Sequence, residues 1–446
     1  MKSIAQIAAE LQGYDPQALP ADTVGAFLEQ LVEPVTATER VPLFSALGRV
    51  LAEDVVSPIS VPPHDNSAMD GFAFDGAQLV PGQPLALKIV GTALAGAAWR
   101  GRVAGGECVK IMTGAVMPAG LDTVVPQEFT QVQGDAVTVP ADVLKAGDNR
   151  RFAGEDLMAG QPALQKGQRL TPAALGLLAS LGLGEVSVVR RLRVAYFSTG
   201  DEILSLGEPP REGAVYDSNR YTVFGLLTRL GVEVVDLGVV KDEPALLEAA
   251  FRDAAARADA VITSGGVSVG EADHTKAMMR QLGDVAFWRI AMRPGRPMAV
   301  GRIAVDPLQD KSTSGACPSS ATSSQNDRNG AILFGLPGNP VAVMVTFFAF
   351  VRPALLRMMG ARAEPPVLLR AASEEPLRKK PGRTEYQRGI VAQHADGTLS
   401  VRTTGNQGSG VLSSMVQANG LIVLGHDQGN VAVGDQLSVM MFEGAV

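Results

Sequence analysis

Residues 260–273 read AVITSGGVSVGEAD, and this stretch decides the fold expected for the central part of the chain. The run Ala260–Thr263 is typical of a strand buried in a parallel sheet. The glycines that follow it allow a tight turn and a close approach of the backbone to a ligand. Amides at the start of the next helix could then face a phosphate group. An ordinary glycine turn is the alternative, so the pattern alone indicates a strand, a loop, a helix and a candidate phosphate site.

Acidic residues occur in the same loop and near two other predicted strands. Glu271 and Asp273 close the glycine loop, Glu202 follows a strand, and Asp242 precedes a helix. Carboxylates at the carboxyl edge of one sheet suit Mg²⁺, which prefers oxygen ligands and phosphate partners. Helix capping is the alternative for any one of these residues. For Glu202, Asp242 and Asp273 together, we predict a metal or phosphate role.

Strand-like and helix-like segments alternate from Arg193 to Met359, which predicts a mainly parallel sheet with helices on both faces. In such a sheet, ligands bind at the carboxyl ends of the strands. The predicted strands are 194–197, 232–237, 260–263 and 285–290, and the predicted helices include 219–230 and 244–256. The loop LPGNP, residues 336–340, leads into a further helix whose amide end could also receive phosphate.

The flanking regions have other patterns. From Ser3 to about Val55 the pattern is helical, with Asp22-Thr23 as the expected cap of an amphipathic helix, and a helix is expected again at 173–181. Short β-like pieces separated by glycine and proline follow Pro62, and β-like pieces return after Ala361. We therefore predict a multidomain α/β plus β protein with a helical linker or dimerisation region (1–60 and 145–190), an inserted β-rich module (61–144), an α/β domain (191–360) and a C-terminal β-barrel or sandwich (361–446).

Residues 306–330 interrupt the α/β pattern. They are rich in Ser and Thr and almost free of large apolar side chains. Such a segment cannot bury enough apolar surface to order itself, so we predict a disordered surface loop.

Composition argues against several classes of protein. The net charge of −7 does not favour a nucleic-acid-binding surface. Cys108 and Cys317 are far apart, which indicates neither a disulfide framework nor a zinc site and favours a reducing cytoplasm.

The most apolar run, Val341 to Val351, is shorter than the about 20 residues of a membrane helix, so we predict a buried helix there and no membrane association. Neither GxxxxGK[ST] nor GxGxxG occurs, nor a serine nucleophile elbow, which disfavours ordinary kinases, dehydrogenases and hydrolases.

Three arginines lie close together at the end of another predicted strand. Arg289, Arg293 and Arg296 fall within FWRIAMRPGRP, residues 287–297. Each guanidinium stays charged and offers forked donors to an oxyanion. A solvated charged edge is the alternative, but basic clusters are scarce elsewhere in the chain, so we predict an anion site.

Motifs along most of the chain closely resemble those of MoeA-type molybdopterin molybdenumtransferases, the gephyrin E-domain-like family, and follow that family's order. They are VPPHDNSAMDGFA (61–73), IMTGA (111–115), FSTGDE (197–202), YDSN (216–219), SGGVSVGEAD (264–273), LPGNP (336–340), PGRTEYQRG (381–389) and TTGNQGSG (403–410). The combination is specific to the family, although SGGVSVG alone also resembles molybdopterin adenylyltransferases and CinA-like proteins.

The resemblance implies the last step of molybdenum cofactor synthesis, in which molybdate enters adenylylated molybdopterin and AMP leaves in a Mg²⁺-dependent reaction. It also implies a cytoplasmic homodimer whose cleft lies between the α/β domain of one subunit and the β module of the other, and it leaves open a molybdopterin adenylyltransferase as partner. By similarity the catalytic residues are Asp70, Thr113, Glu202, Asp242 and Asp273, the last three also binding the metal. By similarity the binding residues are Ser264, Gly265, Gly266, Ser268, Gly270, Arg289, Arg293, Pro337, Pro340, Arg388 and Ser409. Of these, Arg293, Arg388 and Ser409 would face molybdate, with Pro337 nearby.

Two features depart from the family pattern. The family commonly has lysines at the positions of Arg289, Arg293 and Arg296, so the donor geometry towards molybdate differs here. The Ser/Thr-rich insertion is usually absent or short. A binding role is a second hypothesis, because a related animal domain also acts as a scaffold that clusters receptors; the intact Asp242 and Asp273 favour an enzyme. Adenylyl transfer is disfavoured, because those enzymes resemble only the α/β domain.

Overall fold

A computed structural model describes residues 2–267, 274–304, 330–362 and 364–442. The chain divides into two compact units, the first made of Met1–Glu39, Gly48–Ala52 and Ser187–Val446, and the second of Arg40–Leu47 and Glu53–Val186. The predictions for Ser268, Gly270 and Asp273 and for nearly all of the Ser/Thr-rich insertion lie outside the described residues.

The helices and the strands of the described residues are given separately here, each numbered in chain order. The helices are α1 (Ile4–Glu10), α2 (Ala21–Leu31), α3 (Pro172–Ser180), α4 (Ser218–Leu230), α5 (Pro244–Arg257), α6 (His274–Leu282), α7 (Pro340–Thr346), α8 (Arg352–Met358) and α9 (Ser413–Gln417). The strands are β1 (Thr38–Pro42), β2 (Val55–Val56), β3 (Asn66–Ser67), β4 (Gly71–Phe74), β5 (Leu85–Ala93), β6 (Glu107–Ile111), β7 (Thr123–Pro126), β8 (Gln131–Gln133), β9 (Ala136–Val139), β10 (Arg150–Arg151), β11 (Pro162–Leu164), β12 (Glu185–Val189), β13 (Arg193–Thr199), β14 (Ile203–Leu204), β15 (Val215–Tyr216), β16 (Glu233–Val240), β17 (Ala260–Ser264), β18 (Gly283–Arg289), β19 (Met292–Arg293), β20 (Pro297–Ile303), β21 (Ala331–Leu336), β22 (Leu368–Ser373), β23 (Thr384–Gln393), β24 (Leu399–Thr403), β25 (Gly420–Leu424) and β26 (Gln436–Met441).

The first unit contains a six-stranded sheet in the order β16-β13-β17-β21-β20-β18. The first four strands are parallel, as the alternating pattern predicts. β20 is antiparallel to both β21 and β18. β18 therefore runs in the same direction as the four parallel strands, and Arg289 at its end lies at their carboxyl edge.

Apolar side chains cover both faces of this sheet, as expected for an α/β domain. Along β13, Tyr196 packs into one core with Leu227 of α4 and Val343 of α7. The next residue, Phe197, packs into the other core, where its ring meets that of Phe251 of α5 edge to face at a centroid distance of 5.0 Å. The alternation of side chains along the strand thus distributes one apolar run over two faces.

The apolar segment Pro340–Met358 forms α7, a π-helical turn (Phe347–Val351) and α8. By length and composition it could cross a membrane, but 67% of its most apolar 18-residue stretch is buried inside the protein. Val341, Phe347 and Leu355 are fully buried in the larger core of the first unit. The prediction of a buried core helix is therefore confirmed.

The C-terminal part of the first unit is a closed β-barrel. Its strands follow the order β23-β24-β22-β26-β25, and β25 pairs back with β23. Val401, Ile422 and Val439 form part of its core. β19, which comes from the α/β part, pairs in parallel with the start of β23 through Arg293 and Glu385. Of the two expected architectures, barrel and sandwich, the barrel is found.

The second unit contains a six-stranded sheet in the order β7-β4-β6-β5-β9-β8, in agreement with the predicted β-rich module. Gly71 begins β4 and allows this strand to approach β7, because a Cβ atom at this position would lie 1.9 Å from the carbonyl oxygen of Val125. Side chains of β4, β6 and β7 pack into two apolar clusters.

The prediction of a helical pattern from Ser3 to about Val55 is wrong beyond Leu31, because β1 and β2 follow α2. Pro34 and Pro42 lack the amide hydrogen that a helix needs, and β-branched residues between them favour extended backbone. The expected Asp22-Thr23 cap is also displaced. α2 begins at Ala21, and Asp22 lies in its first turn, where a negative charge suits the helix dipole. Between residues 145 and 190 the helix α3 is confirmed, but three short strands accompany it.

Candidate functional site

Four loops leave the same edge of the central sheet. The register pairs Thr199 with Val240, and Ser264 with both Ser198 and Leu336. The loops that contain FSTGDE, Asp242, the glycine motif and LPGNP therefore begin side by side. Ligands of open α/β sheets bind at this edge.

The glycine loop requires glycine for steric reasons. Gly265 and Gly266 have φ values of +93° and +65°. A Cβ atom at Gly265 would lie 2.4 Å from the carbonyl oxygen of Thr199, and one at Gly266 would lie 2.5 Å from the Cβ of Thr275. The two glycines therefore bring the loop directly against β13 and the start of α6, where only a bare backbone fits.

Asp242 lies at this edge and is half-buried. Its Oδ1 accepts a hydrogen bond from Thr275 Oγ1 at 3.1 Å, and its backbone N–H donates to Asp201 Oδ1 at 3.3 Å. Helix capping does not explain this residue, because α5 begins at Pro244 with Glu243 in the N-cap position. Asp242 is instead held between Asp201 in the loop after β13 and Thr275 at the start of α6.

Glu202 lies on the exposed side of the same edge. Its carboxylate folds over Gly200, where a Cβ atom would lie 2.5 Å from Glu202 Oε2. Within the described ranges, no three His, Cys, Asp or Glu side chains are grouped closely enough to hold a metal ion. Asp273, the third expected ligand, lies outside these ranges.

Three buried hydroxyl groups form a cluster beneath the edge. Tyr196 Oη is 2.8 Å from Ser198 Oγ and 2.7 Å from Ser264 Oγ, and the two serine oxygens are 3.1 Å apart. Burial raises the pKa of Tyr196, so its phenol stays protonated. The sequence motifs SGGVSVGEAD and FSTGDE contain Ser264 and Ser198, but only Ser264 is predicted as a site residue, and Tyr196 is not predicted. Small polar residues at the ends of two predicted neighbouring strands were the available signal.

The three clustered arginines lie between the end of β18 and the start of β20. All three are exposed. A cavity of about 270 Å³ lies beside β19 and the barrel, and Arg293 alone of the three is among the described residues that line it. Its lining also includes Glu375, Arg378, Glu385, Arg388 and Gln407. Arg293 is therefore the member of the group that lines this cavity, and the anion site of three arginines stays a prediction.

Arg388 lines this cavity but is fully buried, and its guanidinium is largely occupied by the protein itself. Four of its five N–H groups donate hydrogen bonds to oxygens of the following loop and α9. The acceptors are Ser414 Oγ (2.9 Å) and the carbonyl oxygens of Asn406 (3.1 Å), Gln407 (3.2 Å) and Gly408 (2.9 Å). Burial and the positive charge of Arg293 lower the pKa of Arg388 to about 10. Its contacts in this structure hold the loop TTGNQGSG in place, and the role towards molybdate that the resemblance implies for Arg388 stays a prediction.

That loop docks on the start of α7. Asn339 Nδ2 donates to Ser409 Oγ at 3.1 Å, and the backbone N–H of Val341 donates to the carbonyl oxygen of Ser409 at 3.2 Å. Pro340 is the first residue of α7, and Pro337 is buried. The structure thus brings Ser409 to LPGNP, as the resemblance implies, and adds Asn339, which sequence reasoning did not select.

Asp70 and Thr113 meet in the second unit, although 43 positions separate them. Asp70 Oδ1 accepts hydrogen bonds from both the backbone N–H and the Oγ1 of Thr113, each at 2.7 Å. These bonds, the backbone one foremost, hold the pKa of Asp70 below its usual value, so the carboxylate stays charged near neutral pH. Two motifs that are distant in sequence thus form one polar pair.

Comparisons with known proteins agree along the chain. Residues 19–182 match the family model of the MoeA N-terminal region (domain I and II), residues 195–357 that of a probable molybdopterin binding domain, and residues 370–442 that of the MoeA C-terminal region (domain IV). A molybdopterin molybdenumtransferase of Haemophilus influenzae is 40% identical over 416 residues, which span 93% of this chain and 96% of the relative. A second molybdopterin molybdenumtransferase, from a Nostoc species, is 34% identical over 441 residues, which span 96% of this chain and 95% of the relative. The crystal structure of a molybdopterin biosynthesis moeA protein from Pyrococcus horikoshii matches with a TM-score of 0.77 at 26% identity, covering 96% of this chain and 100% of that one.

Proposed function

Because this chain belongs to the molybdopterin molybdenumtransferase family, we propose that it inserts molybdate into adenylylated molybdopterin, releasing AMP and giving the molybdenum cofactor. One observation carries the proposal. The glycine loop, Asp242 and the LPGNP loop start from one edge of the central sheet, and Ser409 of the barrel is docked on that edge. Groups suited to phosphate, to a cation and to an oxyanion thus occur in one part of the molecule.

The phosphates of the substrate would lie against the glycine loop. Gly265 and Gly266 let this loop start tightly packed against β13 and α6 at the carboxyl edge of the sheet, and α7 begins at the same edge. Backbone N–H groups and a helix N-terminus favour negative charge there. Stabilising the charge on the departing phosphate is the main catalytic contribution that we assign to this region.

We propose that Mg²⁺ assists this step and that Glu202, Asp242 and Asp273 hold it. The donor set fits a hard cation, because the described members offer carboxylate oxygens from the loops after two adjacent strands, β13 and β16. When bound, Mg²⁺ would neutralise phosphate charge as AMP departs. Thr275 would keep Asp242 oriented through its hydroxyl group.

Molybdate would enter beside Arg293 and Ser409. The cavity next to Arg293 has a volume of about 270 Å³, ample for a tetrahedral oxyanion. The guanidinium of Arg293 can donate paired hydrogen bonds to an oxyanion. Arg388 would act in this region mainly by fixing the loop that carries Ser409. Asp70 and Thr113 of the second unit, together with Arg289, complete the set of residues that we propose on the basis of resemblance.

We also propose a homodimer that works in the cytoplasm, with a molybdopterin adenylyltransferase as the natural supplier of substrate. Large exposed apolar side chains support self-association. In the first unit, Tyr221 and Phe224 on α4 are 49% and 50% exposed, and in the second unit Phe44 is fully exposed. Exposed apolar surface of this kind is typical of protein interfaces.

The direct test combines purified protein, adenylylated molybdopterin, MgCl₂ and molybdate, with AMP and molybdenum cofactor as the two readouts. We expect both products together, and we expect EDTA to stop their formation until Mg²⁺ is restored. Release of AMP without cofactor, or cofactor formation that is indifferent to EDTA, would contradict the mechanism. A pure scaffold would give neither product, and an adenylyltransferase would consume ATP and unmodified molybdopterin instead.

A further inference from the structure

The cavity beside β19 combines basic and acidic side chains. The described residues that line it include three arginines and two glutamates, namely Arg293, Arg378, Arg388, Glu375 and Glu385. Arginines suit an anion, but a carboxylate beside a bound anion costs free energy, because like charges repel. The two glutamates are therefore expected to do something other than attract the ligand.

Glu385 is paired within the protein. It is only 3% exposed, and its Oε1 accepts a hydrogen bond from Arg383 Nε at 2.8 Å and lies 2.7 Å from Arg383 Nη2. Its Oε2 accepts a hydrogen bond from Gln387 Nε2 at 3.1 Å. A buried carboxylate requires partners of this kind. Both oxygens of Glu385 are thus occupied without a ligand.

Glu375 differs, because only one of its carboxylate oxygens is occupied. Oε1 accepts a hydrogen bond at 2.6 Å from the backbone N–H of Thr403, which also lines the cavity. This bond fixes the carboxylate at the wall of the cavity, where the loop TTGNQGSG begins. Oε2 has no hydrogen-bond or ion-pair partner among the described residues, and the side chain is half-buried. A free carboxylate oxygen is therefore available to a ligand.

The arginines of the cavity are available to an anion. In the described part of the chain, the guanidinium groups of Arg293 and Arg378 are exposed and have no hydrogen-bond or ion-pair partner. Arg388 is fully buried, and the oxygens that accept its hydrogen bonds are uncharged. Its lowered pKa of about 10 still leaves it protonated near neutral pH. The cavity therefore favours negative charge in spite of Glu375.

These groups make two demands on an oxyanion. The guanidinium groups favour its negative charge, whereas the free oxygen of Glu375 repels a bare oxygen atom placed beside it. One proton between the carboxylate and the anion removes this conflict, because the repulsion becomes a charge-assisted O–H···O⁻ hydrogen bond. Oxyanions differ in how readily they take up such a proton. Hydrogen sulfate is a stronger acid than hydrogen molybdate, so sulfate meets this demand less well.

We propose that Glu375 is a specificity-determining residue: molybdate binds with one proton shared between its own oxygen and Oε2 of Glu375, and sulfate is rejected. This rests on the proposed function and adds a residue to it. Binding of molybdate then takes up a proton from solution. The arginines do not supply this uptake, because an arginine guanidinium is already protonated near neutral pH.

The replacement Glu375→Gln tests this role and preserves the contact with the loop. The amide oxygen can still accept the hydrogen bond from the Thr403 N–H, while the NH₂ group can donate to an unprotonated oxyanion. Calorimetry with sodium molybdate alone, repeated in buffers of different ionisation enthalpy, counts the protons taken up. We expect about one proton per molybdate for the unsubstituted protein and about none for Glu375→Gln.

Competition by sulfate is a second readout, and a merely structural role would not change it. Sodium sulfate should compete weakly with molybdate in the unsubstituted protein and about tenfold or more strongly in Glu375→Gln. The matched control is Glu374→Gln. Glu374 is not among the described residues that line the cavity, and its Oε1 accepts a hydrogen bond from Ser400 Oγ at 2.5 Å. This control should retain both the proton uptake and the rejection of sulfate.

A measurement on the unsubstituted protein makes the test independent of how the variant folds. If one proton is taken up with each anion, the affinity for molybdate should fall about tenfold for each unit by which the pH rises above neutrality. An affinity that does not change with pH would overturn the role of Glu375.

Three further outcomes are decisive. Molybdate binding without proton uptake, no molybdate binding at all, or unchanged rejection of sulfate in Glu375→Gln would each overturn the proposal. Failure of the proposed function gives a different result. In that case molybdate would bind with a proton and sulfate would be rejected, but adenylylated molybdopterin would not be converted to cofactor.

Discussion

Asn339 donates a hydrogen bond from Nδ2 to Ser409 Oγ at 3.1 Å, which joins the loop after β21 to the C-terminal barrel. The backbone bond from Val341 to Ser409 lies beside it. Asn339→Leu removes the side-chain bond and keeps the backbone bond. We expect the free energy of unfolding to fall by about 1 kcal/mol and the molybdate concentration required for half-maximal rate to rise. Cofactor formation at graded molybdate concentrations measures the effect, and an unchanged molybdate requirement would show that this contact serves stability alone.

Asp242 is positioned by Thr275 rather than by a helix cap, so Asp242→Asn should leave the fold intact. The amide oxygen can still accept the Thr275 hydrogen bond, but the negative charge for Mg²⁺ is lost. We expect AMP release to fall about a hundredfold or more with little change in thermal unfolding. Asp253→Asn, which breaks an exposed ion pair with Arg257 on α5, is the control. Near-normal AMP release together with reduced stability would mean that Asp242 has only a structural role.

Arg388 holds the loop 406–408 through several bonds that a lysine cannot reproduce. Arg388→Lys keeps a positive charge but loses most of the contacts to the three carbonyl oxygens and to Ser414. We expect a loss of about 2 kcal/mol in the free energy of unfolding, with a weaker response to molybdate and unchanged binding of AMP. Chemical denaturation and molybdate titration are the two measurements. Impaired nucleotide binding with normal molybdate dependence would place Arg388 near phosphate instead.

The Asp70–Thr113 pair predicts a change at acidic pH. Both Thr113 bonds lower the pKa of Asp70 in the folded protein, so they stabilise the fold above the unfolded value of about 3.9, and this stabilisation is lost as the pH falls through the lower folded value. Thr113→Val deletes only the hydroxyl donor. The pKa of Asp70 should therefore rise partway, because the backbone bond remains.

Carbon-13 NMR titration of the aspartate carboxyl groups measures this shift. Asp396 offers an internal reference, since Thr398 donates to it through both backbone and hydroxyl and its pKa is also lowered. The pKa of Asp396 should not move in Thr113→Val. A constant pKa for Asp70 would mean that the hydroxyl contact is absent in solution.

The sequence predicts the central sheet well because each strand there is indicated by residues that are adjacent in the chain. The apolar runs at 194–197 and 260–263 are short and rich in β-branched or aromatic residues, each is followed within three positions by glycine, and they become β13 and β17. The prediction of helix after α2 is wrong for the opposite reason. Its residues form the short strands β1 and β2, and such strands depend on partners far away in the chain, β12 and β11.

For the candidate site, too, the features set by local sequence can be predicted, whereas those set by long-range contacts cannot. Motifs identify which loops carry polar residues, and the parallel sheet brings those loops together. Which side chains pair depends on distances that no local pattern contains. The occupied guanidinium of Arg388, the partner of Ser409 and the hydroxyl cluster around Tyr196 are therefore visible only in three dimensions.

The pairing of β19 with β23 limits how this protein can be recombined with its relatives. A chimaera that exchanges only the barrel, from residue 361 onward, would pair a foreign β23 with the native strand that carries Arg293. It would also replace Tyr386, Leu421 and Met440, which belong to the same apolar core as the helices of the α/β part. Grafts that carry residues 290–297 along with the barrel should fold more readily than grafts cut at the apparent domain boundary.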